Sequence, residues 1–149
     1  MLSGIDLLSL KSHLTIRRGN AGQSEVFDLV RRRYIRATPE EFVRQLWITY
    51  LIEIKQYNPK LIAVERAFKV HENMRRFDLV LMNSDGSIFL LAEFKAPDVP
   101  ISQLTFDQVA VYNYALQVPF ALVSNGMQHA IFQIDSEARS FRFMESLPF

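Results

Sequence analysis

At 149 residues, with 49% apolar and 22% charged residues and twelve Phe, the chain has the length and composition of one domain with a sizeable core, which excludes a disordered or low-complexity polymer. The absence of Cys excludes disulfides, thiolate metal sites and a Cys nucleophile, so any metal must be held by oxygen or imidazole. Seventeen Lys and Arg against sixteen Asp and Glu leave a net charge of +1, which excludes a uniformly basic nucleic-acid coat.

No apolar run reaches the roughly 18–20 residues of a membrane span, and the first residues lack the basic region and cleavage site of a secretory signal. A cytoplasmic location is expected. No repeat, biased tract or linker divides the sequence, so residues 1–149 are expected to form a single domain with its core over about 30–135. Residues 1–24 read as an N-terminal extension to which no element is assigned.

Glu25 to Ile35 mixes Val, Phe, Leu and Tyr with charges, as a strand or two near a sheet edge would. Thr38-Pro39-Glu40-Glu41 is a helix start, with Thr38 as N-cap, Pro39 at the first helical position and Glu41 placed to close a capping box. Val43, Leu46, Trp47, Tyr50, Leu51 and Ile54 then recur at helical spacing and predict one buried stripe that ends near Tyr57-Asn58-Pro59. Strands are predicted over Leu61 to Phe68, Arg76 to Met82 and Ser87 to Lys95, the last two joined by Asp85-Gly86 as a two-residue hairpin turn. A helix over Phe106 to Leu116 follows, then strands over Phe120 to Ser124, Ala130 to Ile134 and Ser140 to Phe143.

That hairpin gives the charged residues their meaning. If Asp85-Gly86 is the turn, Ser84 pairs with Ser87, and counting outward sets Asp78 directly opposite Glu93 on one face, with Cβ atoms about 4.5–5.5 Å apart. Lys95 shares the Glu93 face because a strand repeats every two residues. The chain holds a second Glu-x-Lys at Glu53-Ile54-Lys55, but on a helix residues two apart do not face each other. Two adjacent carboxylates in a partly dry cleft repel unless one is protonated or a cation lies between them. Oxygen ligands of this kind select Mg²⁺ or Mn²⁺, which would activate a water and polarise a phosphoryl group while Lys95 stabilises developing charge. The alternative is a surface ion-pair network. Two basic groups, Arg31-Arg32-Arg33 with Arg36 and Arg75-Arg76, fit either a solvated face or phosphate contacts. His13, His71 and His129 lack ligand spacing and read as surface residues.

Asp78, Glu93-x-Lys95 and Gln108-x-x-x-Tyr112, in that order, resemble the PD-(D/E)xK nuclease superfamily, most closely the N-terminal endonuclease domain of type I restriction enzyme R subunits. Thr38-Pro39-Glu40-Glu41, Arg75-Arg76-Phe77-Asp78, Ala92 to Pro97, Phe106-Asp107-Gln108 and Ser124-Asn125-Gly126 belong to the same likeness. The resemblance implies a mixed-sheet α/β fold with a restriction-endonuclease-like αβββαβ core, here with extra strands at both ends. It implies metal ligation by Asp78 and Glu93, catalysis by Lys95, and DNA contact or cleavage by Gln108 and Tyr112, which share a helix face. Glu41 would be an added metal ligand if it is not spent on the capping box, and Arg76 a phosphate contact if it is not a plain surface charge.

The implied activity is Mg²⁺- or Mn²⁺-dependent DNA hydrolysis by direct water attack. The alternative is a catalytically silent module of the same fold that binds DNA or a protein. Expected partners are DNA, a second copy of the chain, or other restriction or repair subunits, with no membrane. Two departures stand out: the sequence contains no Gly-Lys-Ser/Thr phosphate loop for an ATP motor, and Phe77 occupies the position of the superfamily's Pro.

Overall fold

Thr38 has extended backbone and its Oγ accepts the Glu41 amide at 3.2 Å, so helix α1 (Pro39–Thr49) begins where the cap residues place it. In the computed structural model, which describes residues 4–149, Val43, Leu46, Trp47 and Leu51 of this segment are buried as the stripe predicts. Ile54 is not: it is 53% exposed. The last turn, Tyr50–Ile54, is a π turn closed by the Lys55 amide on the Tyr50 carbonyl at 3.0 Å, and its extra residue per turn rotates Ile54 off the stripe.

Strands β4 (Ile62–Val70), β5 (Asn73–Met82), β6 (Ile88–Phe94), β7 (Phe120–Ser124), β8 (His129–Asp135) and β9 (Ser140–Met144) form one sheet in that spatial order. Neighbours are antiparallel except β6 and β7, which run parallel and are joined through helix α2 (Gln103–Leu116). The observed order is therefore α1-β4-β5-β6-α2-β7, the expected αβββαβ core with two further strands. Trp47, Leu46 and Val43 of α1 pack on Leu79, Leu81, Leu90, Ala92 and Phe94. Phe106, Val109 and Ala110 of α2 pack on Ala121, Val123, Ala130 and Phe132 in a second cluster.

The strand or two expected over Glu25 to Ile35 are present as two strands, whereas the short helix and the strand that precede them, and the burial of His129, were not expected. Leu7–His13 is a short 3-10 helix that buries Leu7 and Leu10 beneath α1. Strands β1 (Ile16–Arg18), β2 (Ser24–Asp28) and β3 (Arg33–Arg36) form a separate antiparallel sheet. Three exposed residues in β1 are too few to show an alternating pattern. His129, expected at the surface, is 2% exposed: its Nδ1 and the Ser124 hydroxyl lie 2.8 Å apart and its ring meets Trp47 edge-on.

The β5–β6 hairpin departs from its expected turn yet keeps the register. The Gly86 amide donates to Asn83 O at 2.9 Å and the Asn83 amide to Ser87 O at 2.8 Å, so the loop has three residues, with Gly86 at φ 88° supplying the left-handed position. This shifts pairing by one, and Met82 faces Ile88. A bulge at Phe89 shifts it back, so Leu81 faces Leu90 and Leu79 faces Ala92. Leu79 with Ala92 is the last rung, and just beyond it the Asp78 and Glu93 side chains come within hydrogen-bonding reach of each other.

Candidate active site

Where β5 and β6 part company, the Phe94 amide donates to Asp78 Oδ2 at 2.7 Å, and the Arg44 Nη2 of α1 donates to Asp78 Oδ1 at 3.2 Å. Both carboxylate oxygens are thereby oriented by groups from two other elements. Glu93 is 8% exposed and accepts from Arg75 Nη2 at 3.4 Å. Burial first, and the adjacent Asp78 charge second, push the Glu93 carboxyl up to about 8, against the opposing pull of Arg75 and Lys95. Lys95 is half-buried, and its amide donates to Ser124 O at 2.9 Å, which fixes its backbone at the end of the parallel β6–β7 pair. Its positive charge acts on both Glu93 and Glu40.

The strand carrying Asp78 is locally irregular. Phe77 and Val80 pack in one cluster with Leu91 and Val118, whereas Leu79 and Leu81 pack with α1, so strict alternation breaks beside Asp78. Across the β4–β5 ladder, Val64 faces Leu79 and Arg66 faces Phe77, while the intervening Glu65 has φ 52°. A left-handed glutamate costs about 1 kcal/mol or more. Its carboxylate lies against Arg31 at 3.1 Å and Arg44 at 3.5 Å.

The expected residues divide by position. Asp78, Glu93 and Lys95 come together. Tyr112 reaches the rim indirectly: the Arg75 guanidinium lies 4.8 Å from its ring centre, and Phe77 meets it edge-on at 5.9 Å. Gln108 shares the helix face but is exposed and makes no side-chain hydrogen bond among the described residues. Arg76 is not at the site; it is exposed opposite Ala67, and its neighbour Arg75 holds the position beside Glu93, since adjacent strand residues point to opposite faces.

The Glu41 side chain does not close the capping box expected of it. The Thr38 amide donates to Arg36 O at 3.0 Å, so the capping box closes on one side only. The Glu41 carboxylate instead accepts from Arg31 at 2.9 Å, Arg44 at 3.1 Å and Gln45 at 3.1 Å. Those three donors occupy it. Glu40, one residue earlier, is the α1 carboxylate coupled to Asp78 and Lys95; partial burial and then the Asp78 charge raise its pKa. Sequence reasoning passed over Glu40 and Arg44, although their four-residue separation on one helix face marked them as a pair.

Among the described residues, no group of three or more His, Asp or Glu side chains is arranged to hold a metal ion, and no helix is long and apolar enough to cross a membrane. Comparison with curated proteins returns no match. The family model described as type I restriction enzyme R protein N terminus matches residues 39–148, from the first residue of α1 to beyond β9. The chain therefore belongs to the type I restriction enzyme R protein N-terminal family.

Proposed function

We propose that this chain is a metal-dependent DNA endonuclease domain that hydrolyses phosphodiester bonds at Asp78, Glu93 and Lys95. The observation that carries the reading is the pairing of buried Glu93 with partly buried Asp78, with Lys95 just beyond the end of the strand that carries Glu93. Its donor chemistry fits a hard divalent ion such as Mg²⁺ or Mn²⁺. Two hard carboxylates meet in a partly buried site, and Glu93 cannot readily take its charge beside Asp78 near neutral pH without a further cation. When bound, such an ion supplies Lewis-acid polarisation of a phosphoryl oxygen and acidifies a water.

The protein's own groups do the rest. Arg44 and the Phe94 amide hold the Asp78 carboxylate in one orientation. Lys95 donates to the charge that builds on the phosphorus oxygens as water attacks. Arg75, set between Glu93 and the Tyr112 ring, meets the scissile strand at the rim, the role that sequence assigned to Arg76. Gln108 and Tyr112 line the approach of that strand from α2.

The test is nicking of supercoiled plasmid by purified protein with Mg²⁺ or Mn²⁺. Lys95→Ala is expected to lower the rate by about 100-fold or more, the cost of losing one charge-stabilising donor. Equal cleavage by parent and variant would falsify the assignment of Lys95. A second reading, a silent DNA- or protein-binding module, is favoured by one observation: each carboxylate already has an arginine partner, Arg44 on Asp78 and Arg75 on Glu93. Calorimetric Mn²⁺ titration separates the two, because only the nuclease reading expects a binding heat that Asp78→Ala removes.

A further inference from the structure

Residues 16–36 hold six arginines, at 17, 18, 31, 32, 33 and 36, against two carboxylates, Glu25 and Asp28. That is a net of +4 in a chain whose total is +1, so the remaining residues carry −3. Positive charge is thus concentrated on the small sheet, which precedes the family-matched residues 39–148.

Strand register sorts these residues by face. Arg17 faces Glu25, which faces Arg36, and two rungs along, on the same face, Phe27 faces Tyr34. Val26, which is 1% exposed, points the other way together with buried Asp28, so Arg17, Glu25, Arg36, Phe27 and Tyr34 form the outward face. The Arg17 guanidinium lies 3.7 Å from the Tyr34 ring centre and the Arg32 guanidinium 5.6 Å from that of Phe27. Glu25 is partnered by Arg17 at 2.9 Å, while Arg32 and Arg36 are exposed and make no ion pair among the described residues.

We propose that this outward face of β1–β3, centred on Arg17, Arg32 and Arg36, is a contact surface for the phosphate backbone of duplex DNA. The proposal rests on the reading of the chain as a DNA-acting domain and names where the duplex is held. A guanidinium laid on an aromatic ring is pre-oriented with its N–H edges free for phosphate oxygens. The ring faces are thereby taken up, which leaves phosphate contact rather than base stacking as the mode of binding. The surface is also tied to the catalytic carboxylates. Gln45 of α1 donates to Asp28 at 3.0 Å, Arg31 joins Asp28 to Glu41, and Arg44 joins Glu41 to Asp78.

The experiment is fluorescence anisotropy with two labelled duplexes of unrelated sequence, in EDTA, over a series of NaCl concentrations. Arg32→Ser with Arg36→Ser is expected to weaken binding of both duplexes on the order of tenfold and to reduce the slope of log Kd against log salt by about 2. Glu25→Gln, which removes the one carboxylate of that face, is expected to tighten binding. Lys60→Ser, elsewhere on the surface, is expected to match the parent. Unchanged affinity and slope in the double variant overturn the proposal, as does a loss confined to one duplex or an equal loss in Lys60→Ser. Because binding is read without metal, the surface can fail while cleavage persists, and it can stand where the parent protein does not cut.

Discussion

Between about pH 4.5 and about 8, Glu93 keeps a proton in the folded chain that it gives up when unfolded, because burial and Asp78 raise its carboxyl from the ordinary 4.5 to about 8. The folded state therefore binds more protons over that window, and metal-free stability must fall as pH rises through it. Glu93→Gln removes the penalty. At pH 8.5 the variant should be more stable than the parent by about 1–3 kcal/mol in urea titrations, with the gap closing near pH 5. Mn²⁺ should restore the parent at high pH and leave the variant unmoved. A parent whose stability is flat across the window would refute the raised Glu93 carboxyl. The same scale shows where one-residue choices mislead. Glu40 and Glu41 look alike in sequence, as do Arg75 and Arg76. Which member of each pair meets the carboxylates depends on partners from other elements: Arg31 and Gln45 occupy Glu41, and strand pairing turns Arg76 away.

At the scale of elements, the two α-helices, the six strands of the large sheet and the closeness of Asp78 to Glu93 were legible from periodicity, caps and turn residues. The hairpin was read correctly for a partly wrong reason. Asp85-Gly86 does mark the turn, but the loop holds three residues, and only the bulge at Phe89 returns Leu79 to Ala92. Nothing local announces that bulge: Ile88-Phe89-Leu90-Leu91 is apolar throughout, and a strand buried on both faces carries no alternation to reveal a slip. The π turn was equally hidden, since it adds one residue without changing composition. The Ser124-Asn125-Gly126 turn offers a direct test of how α1 is seated on the sheet. Gly126 has φ 88°, and a Cβ there would lie 3.2 Å from Val43 Cγ2. Val43, on the inward face of α1, is fully buried and has little room to yield. Gly126→Ala should therefore cost about 1–2 kcal/mol, seen as a lower melting temperature by circular dichroism. Val43→Ala in the same background should recover part of that loss, since it removes the methyl that the new Cβ meets.

For the molecule as a whole, the question is what fixes the small sheet relative to the large one, since no strand is shared between them. Asp28 answers it. Its side chain is fully buried and accepts from the Val30 amide at 2.7 Å, the Arg31 amide at 2.9 Å, Arg31 Nε at 2.6 Å and Gln45 Nε2 at 3.0 Å. Burial alone would raise its pKa, but the bonds from Arg31, Gln45 and Val30 outweigh it and hold the carboxyl below its ordinary 3.8. A depressed carboxylate contributes stability that is present above pH 3.8 and is lost as pH falls through the folded value. The core of the large sheet rests on apolar packing. Loss of the Asp28 charge should therefore release β1–β3 before β4–β9. Asp28→Asn tests this at neutral pH: it removes the charge and sets an amide N–H₂ against donors, at a cost of about 1–3 kcal/mol. Hydrogen-exchange mass spectrometry should show lost protection across residues 16–36 with β4–β8 unchanged. Equal loss in both sheets would mean that Asp28 supports the whole fold. If protection stays at the parent level, the apolar contacts of Val26, Leu29 and Val30 hold the sheet without it.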